Sequence, residues 1–256
     1  MDQSIFEHKQ DVLGYRKLFG VIGPATNTVV QPDFDDMRVP GVTNHYSRIP
    51  NANAQAISDE TFSAGVAEIG KLTEQAARGV LACDPDYLVM GMSAVTFYGG
   101  RAGGEKFKKE LKEISGLDSS IGSESLVSAI QAYGNIKRIA FVSPYYPSAN
   151  AEVTKYVNDF DIEVVRDIPL QCPSWTAIAQ VREDSLRKVI MQLEGDDVDA
   201  ICQVGTNLSM IRLAAEAERW LDKPVIAINT ATYWHALRSN GINDQISGFG
   251  KLLEEH

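Results

Sequence analysis

The feature that most constrains the fold is an internal repeat. Residues 18–24 read LFGVIGP and residues 138–144 read RIAFVSP, so each is an apolar strand pattern that ends in proline, 120 residues apart. A second pair, DYLVMGMS from Asp86 and DAICQVGT from Asp199, places an aspartate before an apolar strand that ends in glycine and then a hydroxyl-bearing residue, with the glycines 114 residues apart. Two matches at nearly the same offset predict a duplicated unit.

The rest of the chain alternates apolar runs with helical patterns, which predicts βαβ units and parallel sheets. Predicted strands cover residues 18–22, 87–91, 138–142, 162–166, 200–204 and 225–228. Predicted helices cover residues 58–82, 104–114, 123–133, 149–160, 175–180, 184–194 and 231–239. The continuous apolar character of the strands is typical of sheets that are covered on both faces.

Composition narrows the function classes. A net charge of −10 without a stripe of Lys and Arg argues against nucleic acid as a partner. The first eighteen residues carry charge in every turn, which predicts neither a secretory signal nor a membrane span, so we expect a cytoplasmic protein without a membrane partner. The three cysteines and four histidines lack metal-ligand spacing, so we expect no metal.

Small and polar residues follow four of the predicted strands. In open parallel sheets ligands bind beyond the carboxyl ends of the strands, where backbone N–H groups are free, so two facing edges would form a closed anion site. Each loop taken alone is also explained as an ordinary turn or as packing. The candidate ligand-binding residues are Asn27, Gly91, Met92, Ser93, Tyr145, Gly205, Thr206 and Asn207.

The same loops carry a family resemblance. Residues 91–100 (GMSAVTFYGG), Tyr145 after residues 140–144 (AFVSP), and residues 231–238 (ATYWHALR) resemble the arylmalonate decarboxylases. Residues 27–29 (NTV) are more similar to the maleate cis-trans isomerases. Both groups belong to the aspartate/glutamate racemase superfamily, and the likeness runs from about residue 18 to the C-terminus.

The resemblance implies an α/β fold of two pseudo-symmetric Rossmann-like lobes, each a parallel four-stranded sheet flanked by helices. We expect one lobe in residues 1–120 plus 231–256 and the other in residues 121–230. The family resemblance also implies that the protein uses no cofactor. It implies further that a carboxylate is held between the lobes in a dioxyanion hole. That role falls to the backbone of Met92 and to Ser93, Tyr145 and Thr206, while a second carboxylate faces an apolar pocket and leaves as carbon dioxide.

The sequence departs from the family at the catalytic thiols. The resemblance implies two cysteines in the superfamily racemases, one in each half, of which the decarboxylases keep only the second. These positions read Gly91 and Gly205 here, so the usual thiol proton carrier is absent and two-base racemisation is not expected. Cys202, three residues before Gly205 on a strand, is predicted to point into the core, and Cys83 to be structural. Cys172 is the one plausible catalytic thiol.

For other polar and aromatic residues, a structural or solvent-exposed position is also a sufficient explanation. Trp175, in the same loop as Cys172, is a candidate wall of an apolar or aromatic substrate pocket, although a core position would also explain it. The acidic residues at 33, 35 and 36 are expected to be solvated, and His235 is expected to be exposed on a helix.

These observations leave three functions open. The first is a cofactor-independent lyase, decarboxylase-like, acting on a small substituted malonate or similar dicarboxylate, with Tyr145, Cys172 or water returning the proton. The second keeps the hole but performs isomerisation, hydration or hydrolysis. The third is a carboxylate-binding protein without catalysis. A homo-oligomer is possible in each case.

Overall fold

The computed structural model describes residues 11–256. Residues 1–10, which belong to the N-terminal segment predicted to be neither a signal nor a membrane span, lie outside the described residues. The chain folds into two parallel sheets of four strands, with orders β2-β1-β3-β4 and β6-β5-β7-β8. The strands are β1 (Lys17–Pro24), β2 (Val42–Ile49), β3 (Tyr87–Met90), β4 (Ser119–Ser120), β5 (Arg138–Ser143), β6 (Glu163–Pro169), β7 (Ala200–Gln203) and β8 (Val225–Ala227). The two sheets repeat one strand order, as the duplication predicts.

Helices cover both sheets, and we call the first sheet with its helices the first lobe and the other the second lobe. The helices are α1 (Val30–Asp36), α2 (Asp59–Val80), α3 (Ala94–Phe97), α4 (Gly100–Ser115), α5 (Gly122–Ala132), α6 (Pro147–Asn158), α7 (Glu183–Leu193), α8 (Ile211–Leu221), α9 (Ile228–Ser239) and α10 (Lys251–Glu255). Helix α9 follows β8 but packs against β3 and β4. The lobe boundaries predicted at 120/121 and 230/231 fall at the end of β4 and inside α9, and they stay a prediction.

Helix α2 illustrates how local sequence sets an element. Ser58 caps its first turn, because the Ser58 hydroxyl accepts from the Thr61 N–H while the Thr61 hydroxyl accepts from the Ser58 N–H. Its buried face carries Phe62, Val66 and Ile69, spaced by three and four residues. The sequence therefore predicts both the start and the orientation of this helix.

Several predicted elements differ from the structure. Residues 175–180 form no α-helix; only Ala177–Gln180 turns, as a 3-10 helix, because the preceding segment pairs with residues 53–56 instead. The sequence pattern predicts neither strands β2 and β4 nor helices α1, α3, α8 and α10. Strand β2 lies at a sheet edge and reads VTNHYSRI, half of it polar, and β4 has two residues.

Within the described residues, no helix combines the length and the apolar character that a bilayer span requires.

Candidate active site

The four inner strands bring their carboxyl ends together. Strand β1 pairs with β3 and β5 pairs with β7, so the loops after these strands come from neighbouring positions in each sheet. They line a partly open cavity of about 50 Å³ between the lobes. The cavity is lined by Pro24, Thr26, Asn27, Ile69, Met92, Ser93, Ala94, Pro144, Tyr145, Trp175, Ile178, Gly205, Thr206 and Asn207. The candidate residues from the sequence are thus brought together, except for Gly91 and Cys172, which do not line the cavity.

Hydrogen bonds across the cleft hold the two lobes at this point. The Asn27 amide donates to the Thr206 hydroxyl at 3.1 Å, and the Thr206 hydroxyl donates to the Gly91 carbonyl at 3.0 Å. The Thr28 N–H donates to the Asn207 side-chain oxygen at 3.0 Å. The proton of the Thr206 hydroxyl is therefore used within the protein, and in this arrangement Thr206 offers a ligand its backbone N–H.

Ser93 and Tyr145 form a hydroxyl pair that retains one donor. Their oxygens lie 2.8 Å apart, and the Gly205 N–H donates to the Ser93 oxygen at 3.2 Å. Whichever hydroxyl donates to the other, one O–H proton remains for a ligand. Burial raises the pKa of the Tyr145 phenol, so its proton stays on the oxygen at neutral pH.

Backbone donors complete the lining. The N–H groups of Met92, Ser93, Thr206 and Asn207 have no acceptor within residues 11–256. Successive free N–H groups after a strand form a concave anion site. In the part of the chain that the structure describes, no Lys, Arg, Asp or Glu lines the cavity. An anion here would be held by neutral donors alone.

Two buried amides orient the 205–207 segment from behind. The Gln203 amide donates to the Gly205 carbonyl at 2.8 Å, and the Asn229 amide donates to the Thr206 carbonyl at 2.9 Å. Because C=O and N–H point in opposite directions across a trans peptide, the Thr206 and Asn207 N–H groups point away from these amides. Sequence analysis missed both residues. A glutamine inside an otherwise apolar strand is a signal for such a buried role, since a buried amide requires partners.

Asp33 supports this arrangement and corrects an expectation. It was expected in a solvated loop, but it lies in α1, is 7% exposed and accepts from the Asn229 amide at 2.8 Å. The burial arises because α1 packs against α9. Burial raises the pKa of the Asp33 carboxyl to about 7, with a smaller contribution from Asp36, while Asn229 and Arg212 oppose the shift.

The raised pKa predicts a pH dependence of stability. The unfolded carboxyl ionises near pH 4, whereas the folded one keeps its proton to about pH 7, so the free energy of unfolding should fall as pH rises between these values. The fall should be on the order of a few kcal/mol. Asp33→Asn keeps the acceptor and removes the titration, so urea denaturation from pH 4.5 to 8 should give a flatter profile. Asp35→Asn, an exposed change in the same helix, is the control; equal slopes in all three proteins would contradict the assignment.

None of the three cysteines is a lining residue of the cavity. Cys202 is fully buried in β7, as predicted. Cys172 lies beside the loop that follows β5, and its N–H donates to the Pro144 carbonyl at 3.1 Å. Burial raises the pKa of the Cys172 thiol to about 11. A thiol that is protonated at neutral pH is a poor nucleophile. The catalytic role of Cys172 stays a prediction that the geometry does not support.

His235 is not the exposed helix residue expected from the sequence. It is half-buried, its Nδ1 lies 2.7 Å from the Ser120 hydroxyl, and burial lowers the pKa of its ring. The reason is that α9 packs against several elements at once, including α5 and β4. His235 does not line the cavity. Within the described residues, no group of three His, Cys, Asp or Glu side chains is placed to hold a metal ion.

Fold and site together define a two-lobed α/β protein with a cleft lined by uncharged hydrogen-bond donors. The chain belongs to the arylmalonate decarboxylase family, whose model matches residues 21–253. It is 23% identical over 227 residues to arylmalonate decarboxylase of Bordetella bronchiseptica, covering 81% of this chain and 92% of that protein. The named relatives are enzymes.

Solved structures agree on the fold. A Nocardia farcinica maleate cis-trans isomerase, in a Cys→Ser variant with a covalently bound succinylcysteine intermediate, matches with a TM-score of 0.84 and 19% identity over 94% of this chain and 99% of that one. The maleate isomerase of Pseudomonas putida S16 matches with a TM-score of 0.84 and 21% identity over 93% and 98%. An arylmalonate decarboxylase structure matches with a TM-score of 0.72 and 19% identity over 93% and 100%.

Proposed function

We propose that this protein is a cofactor-independent lyase that decarboxylates a small substituted malonate or similar dicarboxylate. The observation that carries the proposal is a partly open cavity with free N–H and O–H donors and, within residues 11–256, no charged side chain on its lining. Such a site favours a carboxylate, and favours it more as negative charge builds up on its oxygens.

The reaction follows from that preference. When the bond from Cα to the leaving carboxylate breaks, its electron pair moves into the bond between Cα and the retained carboxyl carbon. Carbon dioxide departs, and the retained group becomes an enediolate with an additional negative charge on its two oxygens. Donors that hold this group bind the transition state more tightly than the substrate, which is what accelerates a reaction.

The apolar part of the lining suits the leaving group. The side chains of Ile69, Met92 and Ile178 donate no hydrogen bond to a carboxylate, so a charge placed against them is poorly solvated. Loss of carbon dioxide removes that charge. The proton that completes the product at Cα would come from the hydroxyl pair, with Tyr145 as the donor, and would be replaced from water.

Within residues 11–256, none of the cavity-lining residues is a cysteine, which disfavours an isomerisation through a cysteine adduct and leaves Tyr145 or water to supply the proton in a decarboxylation. The N. farcinica isomerase structure carries a succinylcysteine intermediate. Here neither Cys172 nor Cys202 lines the cavity. A carboxylate-binding protein without turnover is the alternative that experiment must separate.

Proton NMR in deuterated water tests the proposal. Methylmalonate and maleate would be offered separately, and decarboxylation of methylmalonate should yield propionate with deuterium at Cα. Fumarate from maleate would instead identify an isomerase. Binding by thermal shift with no product from any acid would favour the non-catalytic alternative.

Asn27→Asp should weaken substrate binding without unfolding the protein. The Asn27 side-chain oxygen accepts from the Val29 and Val30 N–H groups, both at 2.9 Å, and a carboxylate would keep both bonds. It would also place a negative charge beside the bound anion. Two such charges about 4 Å apart repel by about 4 kcal/mol at an effective dielectric constant near 20, so we expect KM to rise by roughly 1000-fold.

Asn51→Asp is the matched control for this change. Asn51 accepts from the Ala25 N–H at 2.9 Å in a neighbouring loop and does not line the cavity. Its KM should stay within about twofold of the wild-type value, because a half-exposed charge outside the cavity is screened. Equal effects of the two changes would argue against an anion site at Asn27.

A further inference from the structure

One large side chain closes the apolar side of the cavity. Trp175 is 8% exposed, and the centroid of its ring lies 5.1 Å from the ring centroid of Phe62 in α2. Its backbone carbonyl accepts from the Asn207 amide at 2.9 Å. The indole of a second-lobe loop is therefore held against a first-lobe helix, and its backbone is held by the segment that supplies the anion donors.

The opposing helix makes room for this indole. Gly65 lies in the interior of α2, where glycine is less favourable than alanine. A Cβ atom at this position would lie 2.5 Å from Cζ2 of Trp175, closer than van der Waals contact allows. An otherwise unfavourable glycine is thus explained by the indole that packs on it.

The neighbouring segments keep the indole in place. The Asn53 amide donates to the Thr176 hydroxyl at 2.8 Å, and the Thr176 N–H donates to the Asn53 side-chain oxygen at 3.1 Å. The Ala56 N–H donates to the Pro173 carbonyl at 2.9 Å. Bonds on both sides of Trp175 therefore tie its loop to the first lobe.

The remaining space is small. The cavity of about 50 Å³ compares with about 150 Å³ for a protein cavity that admits benzene. A carboxylate with a few carbon atoms is compatible with this volume. A phenyl ring exceeds the inner part of this partly open cavity unless the indole moves out of its contacts with Phe62 and Gly65.

We propose that Trp175, seated on Gly65, restricts the substrate to small aliphatic dicarboxylates, such as malonates bearing a methyl or ethyl group, and excludes aryl-substituted ones. The inference rests on the proposed function, because it assumes that the cavity holds the dicarboxylate. It depends on one indole and the glycine that faces it. Aryl substrates should be admitted once the indole is made smaller.

Binding and turnover of methylmalonate and phenylmalonate test the proposal. In the wild type, methylmalonate should bind at least tenfold more tightly than phenylmalonate. Trp175→Ala should tighten phenylmalonate binding at least tenfold and reverse the preference. Trp175→Leu is the second variant, because it retains more of the packing if the alanine variant folds poorly. Trp220→Ala is the control; Trp220 is 45% exposed on α8 and should leave the preference unchanged.

Gly65→Ala tests the contact without any ligand. In the wild type the added methyl meets the indole, so the melting temperature should fall. In the Trp175→Leu background the same change should raise the melting temperature, because alanine favours the helix and the indole is absent. The same sign in both backgrounds would show that Gly65 does not seat Trp175.

The outcomes separate the two proposals. Wild-type protein that binds phenylmalonate as tightly as methylmalonate, or variants that keep the wild-type preference, would overturn the size restriction while leaving decarboxylation intact. The predicted binding preference without carbon dioxide release would support the size restriction and overturn the lyase. Failure of both malonates to bind any variant would overturn both.

Discussion

Gly205→Ala is expected to destabilise the protein by roughly 3 kcal/mol and to lower kcat/KM by about 100-fold. Gly205 has a φ of +98°, and a Cβ atom there would lie 2.3 Å from Cδ and 2.5 Å from Cγ of the Pro144 ring. Relief of this clash requires the 205–207 segment to move, and that segment carries the free N–H groups of Thr206 and Asn207. Urea denaturation and steady-state kinetics measure the two effects.

Gly134→Ala is the matched control. Gly134 has a φ of +94°, but nothing lies within 4 Å of the position that its Cβ atom would take. The control therefore carries the backbone strain alone, about 1 kcal/mol, and should leave activity unchanged. If Gly205→Ala cost no more stability than Gly134→Ala and retained full activity, the close packing of Gly205 on Pro144 would have no functional role.

The same geometry distinguishes the two positions at which the family resemblance places cysteines. A cysteine at 205 would meet both the strained backbone and the Pro144 ring. Gly91 has no left-handed φ, and its Cβ atom would lie 3.0 Å from Cγ1 of Val30 and 3.1 Å from the Ile22 carbonyl, a tight fit that small shifts can relieve. A thiol is therefore easier to restore in the first lobe than in the second.

Tyr145→Phe is expected to lower kcat by about 100- to 1000-fold while changing KM little. The phenol is buried, its one polar partner within the described residues is the Ser93 hydroxyl, and it is the proposed source of the Cα proton. Without the phenol oxygen, the Ser93 hydroxyl can still donate to the substrate, so substrate binding should change less than the rate of the chemical step. Deuterium incorporation into the product should slow in parallel with carbon dioxide release if protonation limits the rate.

Tyr146→Phe is the control for this prediction. Tyr146 is the next residue, is also buried, and donates its hydroxyl proton to the Ala56 carbonyl at 2.5 Å rather than into the cavity. Its loss should affect stability and leave kcat within about twofold of wild type. A Tyr145→Phe protein with wild-type kcat would remove the phenol from the mechanism and leave water as the proton source.

Much of the site could be predicted because the repeat marks the strand ends. Once the pairs Pro24/Pro144 and Gly91/Gly205 are aligned, parallel-sheet geometry predicts that the following loops share an edge, and the hydrogen bonds from Asn27 to Thr206 and between Ser93 and Tyr145 confirm that these loops meet. The chemistry assigned to those side chains stays a prediction, since bringing them together does not test what they do.

The residues behind the site could not be predicted in the same way. Asp33 and Asn229 are 196 positions apart, and nothing local to either marks the contact that buries the carboxyl and raises its pKa. Gly65 and Trp175 belong to different lobes, so a glycine inside a helix remained unexplained until the indole was placed against it.

Local pattern thus sufficed for the duplicated α/β architecture, the parallel strands and the polar loops at their carboxyl ends, because these depend on hydrophobic periodicity and turn chemistry within a few residues. The shape of the cavity and the position of Trp175 depend on how the two lobes pack, and the raised pKa of Asp33 depends on the packing of α1 against α9. Both are set by packing and desolvation among residues far apart in the chain, and those energies exist only once the elements have come together.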